Sequence, residues 1–226
     1  WVFSGAIARI DGEPGPGDTV TVAAHDGAVL AQAAFSPDSQ IRARVWTFDA
    51  NATVDEAFLT ARLEAAVRRR AGLLDAKHDG CRLVHSESDG LPGLVVDRYG
   101  DVAVLQLLSA GAECWRDFWP QALAKAAGIR AAFERSDAEV RTLEGLAPRA
   151  GPLLGEIPTP VRFVEAGLSY EVDVAHRQKT GFFLDQRDNR ALAATLAPGA
   201  DVLNAFCYTG GFSIGALAAG ATSALS

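Results

Sequence analysis

A chain of 226 residues with 49% hydrophobic and 22% charged residues has the composition of a globular protein of one large or two to three small domains. No apolar run nears the ~20 residues of a membrane span. The net charge of −7 weighs mildly against a nucleic-acid partner, although a basic face can sit on an acidic protein.

Cys81, Cys114 and Cys207 are far apart, odd in number and outside CxxC pairs. Neither a disulfide framework nor a zinc site is supported, so a reducing cytoplasm is the expected location. The chain holds no methionine, so Trp1 is not expected to be a natural start.

Residues 1–45 read as short strands separated by turns. Val2 to Ile10 is apolar, Asp11 to Asp18 is a dense turn cluster, and His25-Asp26-Gly27 is a hairpin signal between Thr19–Ala24 and Ala28–Phe35. With Ile41–Phe48 this spacing predicts a small β-barrel. Asp55 to Arg70 switches to helical period, and Arg68-Arg69-Arg70 in its last turn reads as a solvated, dipole-complementing end.

From Cys81 the pattern becomes α+β. Strands are expected at Cys81–Ser86, Leu94–Asp97 and Val102–Leu108, then one helix over Trp115–Ala127 closed by Gly128. Further strands follow at Ile129–Glu134 and at Val161–Val174, the latter a hairpin turning at Ala166-Gly167. The Gly- and Pro-rich run 145–160 reads as a loop. His78 and His85 have no third ligand at metal spacing and read as ordinary histidines. Cys81 and Cys114 read as small buried hydrophobes.

The chemistry concentrates after His176. Lys179-Thr180-Gly181-Phe182-Phe183-Leu184-Asp185-Gln186-Arg187-Asp188-Asn189-Arg190 is dense in bidentate-capable groups beside two aromatics. Asp185 is expected to cap a helix on which Gln186 and Arg190 are i,i+4 neighbours. Phe182 and Phe183 suit the wall of an adenine or base site. Asp201 to Phe206 then reads as a buried strand, Tyr208-Thr209-Gly210-Gly211 as a turn, and Phe212 to Ala219 as a helix. That turn is neither GxGxxG nor a P-loop, so alone it indicates only a place where some ligand approaches backbone.

KTGFFLDQRDNR followed by VLNAFCYTGGF resembles the paired signature of the bacterial class I S-adenosylmethionine-dependent methyltransferases that modify cytosine C5 in 23S ribosomal RNA, the RlmI-like family. WVFSGAI with SPDSQIRARVW is similar to that family's N-terminal PUA domain, and CRLVHSESDGLPGLVVDRYG with FERSD and EGL to its central domain. The resemblance implies a multidomain α/β plus β protein: a PUA-like β-barrel at residues 1–72, a central α+β domain at 73–174, and the start of a Rossmann-like methyltransferase domain at 175–226. It implies an S-adenosyl-L-methionine site formed by Lys179, Thr180, Phe183, Gln186, Arg187, Asn204, Phe206, Tyr208, Thr209 and Gly210.

The family adds a cysteine thiolate to cytosine C6, which makes C5 nucleophilic toward the sulfonium methyl. That cysteine is expected beyond Ser226, so no catalytic residue is assigned and the 226 residues alone are expected to be inactive. Cys207 stands where the family commonly has serine and implies a cofactor-pocket wall; Arg177 stands where it usually has glycine. Ribosomal RNA is the expected partner, with no metal and no membrane, and the oligomeric state, a homodimer included, is left open. Two other readings stay open: a non-catalytic RNA-binding protein using the first two domains, and a methyltransferase of another RNA.

Overall fold

The computed structural model describes residues 1–176 and 180–226. Strands β1 (Val2–Phe3), β2 (Thr19–Ala23), β3 (Val29–Phe35) and β4 (Ile41–Thr47) form an antiparallel sheet in the order β1-β4-β3-β2. The β2–β3 hairpin turns at the expected Asp26-Gly27. The apolar run after Val2 is not one strand: it breaks into a short 3-10 turn at Ser4–Ala6.

Helix α1 (Glu56–Arg70) starts where Asp55 accepts a hydrogen bond from the Phe58 amide at 2.9 Å. It buries Leu59, Leu63 and Ala66, one stripe at spacings of four and three. That stripe packs against the helix Phe118–Ala127 and the strand Gly80–His85 of the next unit. Its basic end is not simply solvated. Arg69 and Arg70 reach the Asp89 carboxylate at 2.6 Å, and the His85 amide donates to the same group. Burial alone would raise the Asp89 pKa, but these donors outweigh it and hold the carboxyl below its usual value. Only Arg68 stays outward, beside Glu64.

The central sheet has the order β5-β6-β7-β8-β9, from β5 (Gly80–His85), β6 (Leu94–Tyr99), β7 (Val102–Leu107), β8 (Ala131–Ser136) and β9 (Arg149–Leu154). All pairs are antiparallel except β7–β8, whose crossover carries α2 (Ala110–Cys114) and α3 (Phe118–Ala127). The helix expected over 115–127 is α3, starting at Phe118 and closed by Gly128 as expected, and α2 before it is not expected from the sequence. Ser109 caps α2 through the Ala112 amide at 3.2 Å, and Trp119, fully buried, donates Nε1–H to the Ala112 carbonyl at 2.9 Å across the break. Pro120 falls in the first turn of α3, where no backbone N–H is needed.

The run 145–160, expected as loop, contains edge strand β9, with Pro152 at an irregularity opposite Phe133. Cys81 is buried, and burial pushes its thiol up to about 11. Cys114 is exposed, contrary to expectation, because α2 ends there with its side chain turned from the core.

One core joins the N-terminal sheet to the central unit. Ala34 and Trp46 belong to the same buried cluster as Leu59, Leu83, Leu105 and Trp119. A second core lies on the other face. There Tyr99, Val102 and Val104 meet the hairpin β10 (Val161–Glu165) and β11 (Leu168–Val172), together with Phe182. The last segment is α4 (Arg187–Thr195), β12 (Asp201–Leu203), α5 (Gly211–Ala218) and β13 (Ser223–Leu225), with β12 and β13 parallel. β13, not expected from the sequence, completes a strand–helix–strand unit.

Candidate functional site

The carboxyl ends of β12 and β13 open into a cleft of about 830 Å³ lined by Phe183, Leu203, Asn204, Ala205, Phe206, Cys207, Tyr208, Leu225 and Ser226. In a parallel sheet this end is where ligands bind. The chain leaves β12 through Phe206 and Tyr208 at φ of 58° and 52°, then Gly210 at 74°. Left-handed backbone at two bulky residues is costly and persists only where the surroundings hold it. Space beside the Gly210 Cα is open, so at that position glycine answers the backbone conformation and not crowding.

Several bonds hold this turn. Asn204 donates Nδ2–H to Ser213 Oγ at 2.8 Å, and its amide donates to the Leu225 carbonyl at 2.8 Å. Gly210 N–H returns to the Cys207 carbonyl at 2.8 Å. Tyr208 donates its hydroxyl to the Gly181 carbonyl at 3.2 Å, and its ring meets Phe183 edge-on at 5.0 Å. Helix α5 starts immediately after, so its first unpaired amides face the turn.

The expected site residues divide. Phe183, Asn204, Phe206 and Tyr208 line the cleft, and Phe206 projects fully exposed. Thr209 and Gly210 continue the same turn. Gln186 and Arg187 stand at the start of α4, half-buried: Gln186 Oε1 accepts from Asn189 Nδ2 at 2.9 Å, and Arg187 donates to the Leu73 carbonyl at 3.2 Å. Thr180 lies apart from the cleft, 1% exposed, with its hydroxyl donated to Asp97. Lys179, like Arg177, lies outside the described residues.

Three expectations for this segment are corrected. Asp185 caps no helix: a 3-10 turn at Leu184–Gln186 delays α4 to Arg187, and the Asp185 carboxylate instead accepts from Gln186 Nε2 at 3.2 Å. Arg190 does not form a polar edge with Gln186; it points inward to Glu165. Phe182 walls no ligand. Phe183 faces the cleft, while Phe182 packs between Phe163 and Tyr170 at 4.9 and 5.2 Å.

Sequence reading missed Asp97, Tyr99 and Glu165, which hold the segment from beneath. The available signal was a lone carboxylate within the apolar run of β6. His78 pairs with Asp75, and His85 lies beside Arg82. Among the described residues no group of three His, Cys, Asp or Glu is placed to hold a metal, and no helix is long and apolar enough to cross a membrane.

A family model described as a PUA-like domain matches residues 1–48, and one described as S-adenosylmethionine-dependent methyltransferase matches 150–226. The second takes in β9 and the β10–β11 hairpin as well as the cleft. Ribosomal RNA large subunit methyltransferase I of Shewanella denitrificans is 50% identical over 226 residues, covering 99% of this chain and 57% of the relative. Its counterpart in Aeromonas hydrophila is 50% identical over 224 residues, covering 98% and 56%. The chain thus spans little more than half the length of these curated relatives.

Two solved structures share the fold. A SAM-dependent methyltransferase from Streptococcus mutans superposes with a TM-score of 0.79 at 22% identity, over 99% of this chain and 57% of that one. A methyltransferase complexed with SAH gives 0.81 at 22% identity, over 99% and 56%.

Proposed function

Because the chain is kin along its whole length to the ribosomal RNA large subunit methyltransferase I proteins, we propose that it serves S-adenosylmethionine-dependent methylation of cytosine C5 in 23S ribosomal RNA, in the cytoplasm. The observation that carries this reading is the cleft at the carboxyl ends of β12 and β13, bounded by a glycine turn and a helix N-terminus. A volume of about 830 Å³ with mostly apolar walls and a few polar groups suits a nucleoside-sized ligand.

In this reading Phe183, Phe206 and Tyr208 supply aromatic surface for the adenine. Asn204, Thr209, Gly210 and the first amides of α5 supply polar contacts, and Gln186 and Arg187 approach from α4. Lys179 belongs to the same set by its motif. Thr180 acts from beneath. When bound, S-adenosylmethionine supplies an electrophilic methyl group on a sulfonium. The protein's part is to orient that methyl and keep water from it. Cys207 serves as cleft wall, and no residue of the chain is assigned as nucleophile.

Residues 1–72 as a PUA-like unit, 73–174 as a central unit and 175–226 as methyltransferase segment form the working division. The first two would hold RNA against the cleft. Incubating the intact protein with methyl-labelled S-adenosylmethionine and unmodified 23S ribosomal RNA is expected to place the label in 5-methylcytosine on nucleoside analysis. Label on a ribose or an exocyclic amine, or no label, overturns the reading.

A further inference from the structure

The segment that walls the cleft is held by a polar cluster buried under it. Asp97, in the middle of β6 and 1% exposed, receives Arg82 through Nε at 2.8 Å and Nη2 at 2.9 Å. Its Oδ2 also accepts the Thr180 hydroxyl at 2.6 Å, across 83 positions of sequence. Tyr99, two residues on and so on the same face of the strand, is also fully buried. Its hydroxyl lies 3.3 Å from Thr180 Oγ1 and accepts the Phe182 amide at 3.2 Å. Burial first, and then the Asp97 carboxylate, push the Tyr99 phenol above its ordinary pKa, so it stays neutral and able to bridge.

Between these two pinned residues is Gly181, whose φ of 117° admits no ordinary side chain and whose missing Cβ leaves room for Val172. Its carbonyl is the acceptor for the Tyr208 hydroxyl. A continuous path therefore runs from the central sheet to the glycine turn: Asp97 to Thr180, the Gly181 carbonyl, Tyr208, and the edge-on contact with Phe183.

We propose that Asp97 is a positioning residue for the cofactor cleft, holding Thr180 so that the Gly181 carbonyl fixes Tyr208 and Phe183 in their binding orientation. Asp97 lies far from the cleft-lining residues in sequence, in the central unit, and touches none of the lining side chains. A buried carboxylate with three donors is rigid, because moving any of them leaves a charge or hydroxyl unsatisfied in a low-dielectric site. The left-handed backbone of Tyr208 needs such an external hold. The proposal rests on the reading of the cleft as an S-adenosylmethionine site.

The test is calorimetric titration of S-adenosylmethionine into the intact protein and its Asp97→Asn, Thr180→Val and Thr180→Ser variants. Steady-state KM values for cofactor and RNA and a thermal melt of each variant complete it. Asp97→Asn and Thr180→Val are each expected to weaken cofactor binding about tenfold, the scale of one lost charge-assisted hydrogen bond. The double variant should be little worse than either single one, since both break the same link. Thr180→Ser, which keeps the hydroxyl, should restore affinity, and KM for RNA should stay within about twofold.

A role confined to general stability would lower the melting temperature of Asp97→Asn and Thr180→Val while leaving the cofactor Kd of the folded protein unchanged. That result overturns the proposal. So does additivity of the two substitutions, or failure of Thr180→Ser to rescue. If the unsubstituted protein itself does not bind S-adenosylmethionine, the functional reading of the cleft has failed instead, and the positioning role falls with it.

Discussion

Replacing Arg190 with methionine is expected to destabilise the protein by about 3–5 kcal/mol, the cost of removing one member of a buried ion pair. Arg190 donates to both oxygens of Glu165, at 2.6 and 2.7 Å, with both side chains only 6% exposed. It also donates to the Phe183 carbonyl at 3.0 Å, and its guanidinium lies 4.5 Å from the Phe182 ring centre. Methionine fills much of the same volume, so packing changes little. What remains is a Glu165 carboxylate deprived of its charge partner beside Tyr170. Chemical denaturation of Arg190→Met should show the loss. Converting Glu165 to leucine in the same protein should recover most of it, because removing both charges restores an apolar, satisfied site. A loss below about 1 kcal/mol for the single variant would contradict the buried geometry.

The second large effect is expected at Glu144, which joins the N-terminal sheet to the central unit. Its carboxylate accepts from Arg44 Nη2 at 3.0 Å, Ser36 Oγ at 2.7 Å and the Ala110 amide at 3.3 Å. Glu144→Ala leaves these three donors unsatisfied in a buried place. Arg44 keeps Glu87 at 3.0 Å, but its Nε already has no hydrogen-bond partner among the described residues, so it has little slack. About 3 kcal/mol is the expected cost. Hydrogen exchange should quicken throughout β1–β4 more than in β5–β9, since the bonds lost from Arg44 and Ser36 are among those that couple the two sheets. Uniform quickening across both sheets would show that the joint is carried by Ala34 and Trp46 instead.

Much of this architecture was legible because local physics and tertiary packing agree. The helical period of Asp55 to Arg70 predicts α1, and Asp26-Gly27 and Ala166-Gly167 predict their hairpins, with strand ends within a few residues of those observed. Legibility fails where pairing across the sheet outweighs local sequence. β9 reads as loop because Pro152 and Gly151 interrupt it, yet an edge strand tolerates both. The helix break at Trp115–Asp117 has no Gly or Pro to announce it; the buried Trp119 indole reaching back to Ala112 accompanies it.

The candidate site shows the same division. KTGFFLDQRDNR and NAFCYTGG are visible as motifs, but which aromatic faces the cleft depends on the Gly181 backbone and on Asp97, 83 residues before Thr180. Arg190 illustrates the point. Its spacing from Gln186 suits a surface pair, and its partner Glu165 is 25 residues away on another element. Motif spacing locates the cleft; the cluster beneath it cannot be read from spacing at all.

The proposed S-adenosylmethionine site is the cleft at the carboxyl ends of β12 and β13. Isothermal titration of the intact protein with that cofactor tests it most directly, run beside Phe183→Ala and Tyr208→Ala variants whose melting temperatures are matched to the parent. Saturable one-site binding is expected in the parent, weakened at least tenfold in each variant by loss of an aromatic wall. A titration without heat in the parent, or affinity unchanged by both substitutions, would contradict the proposed site.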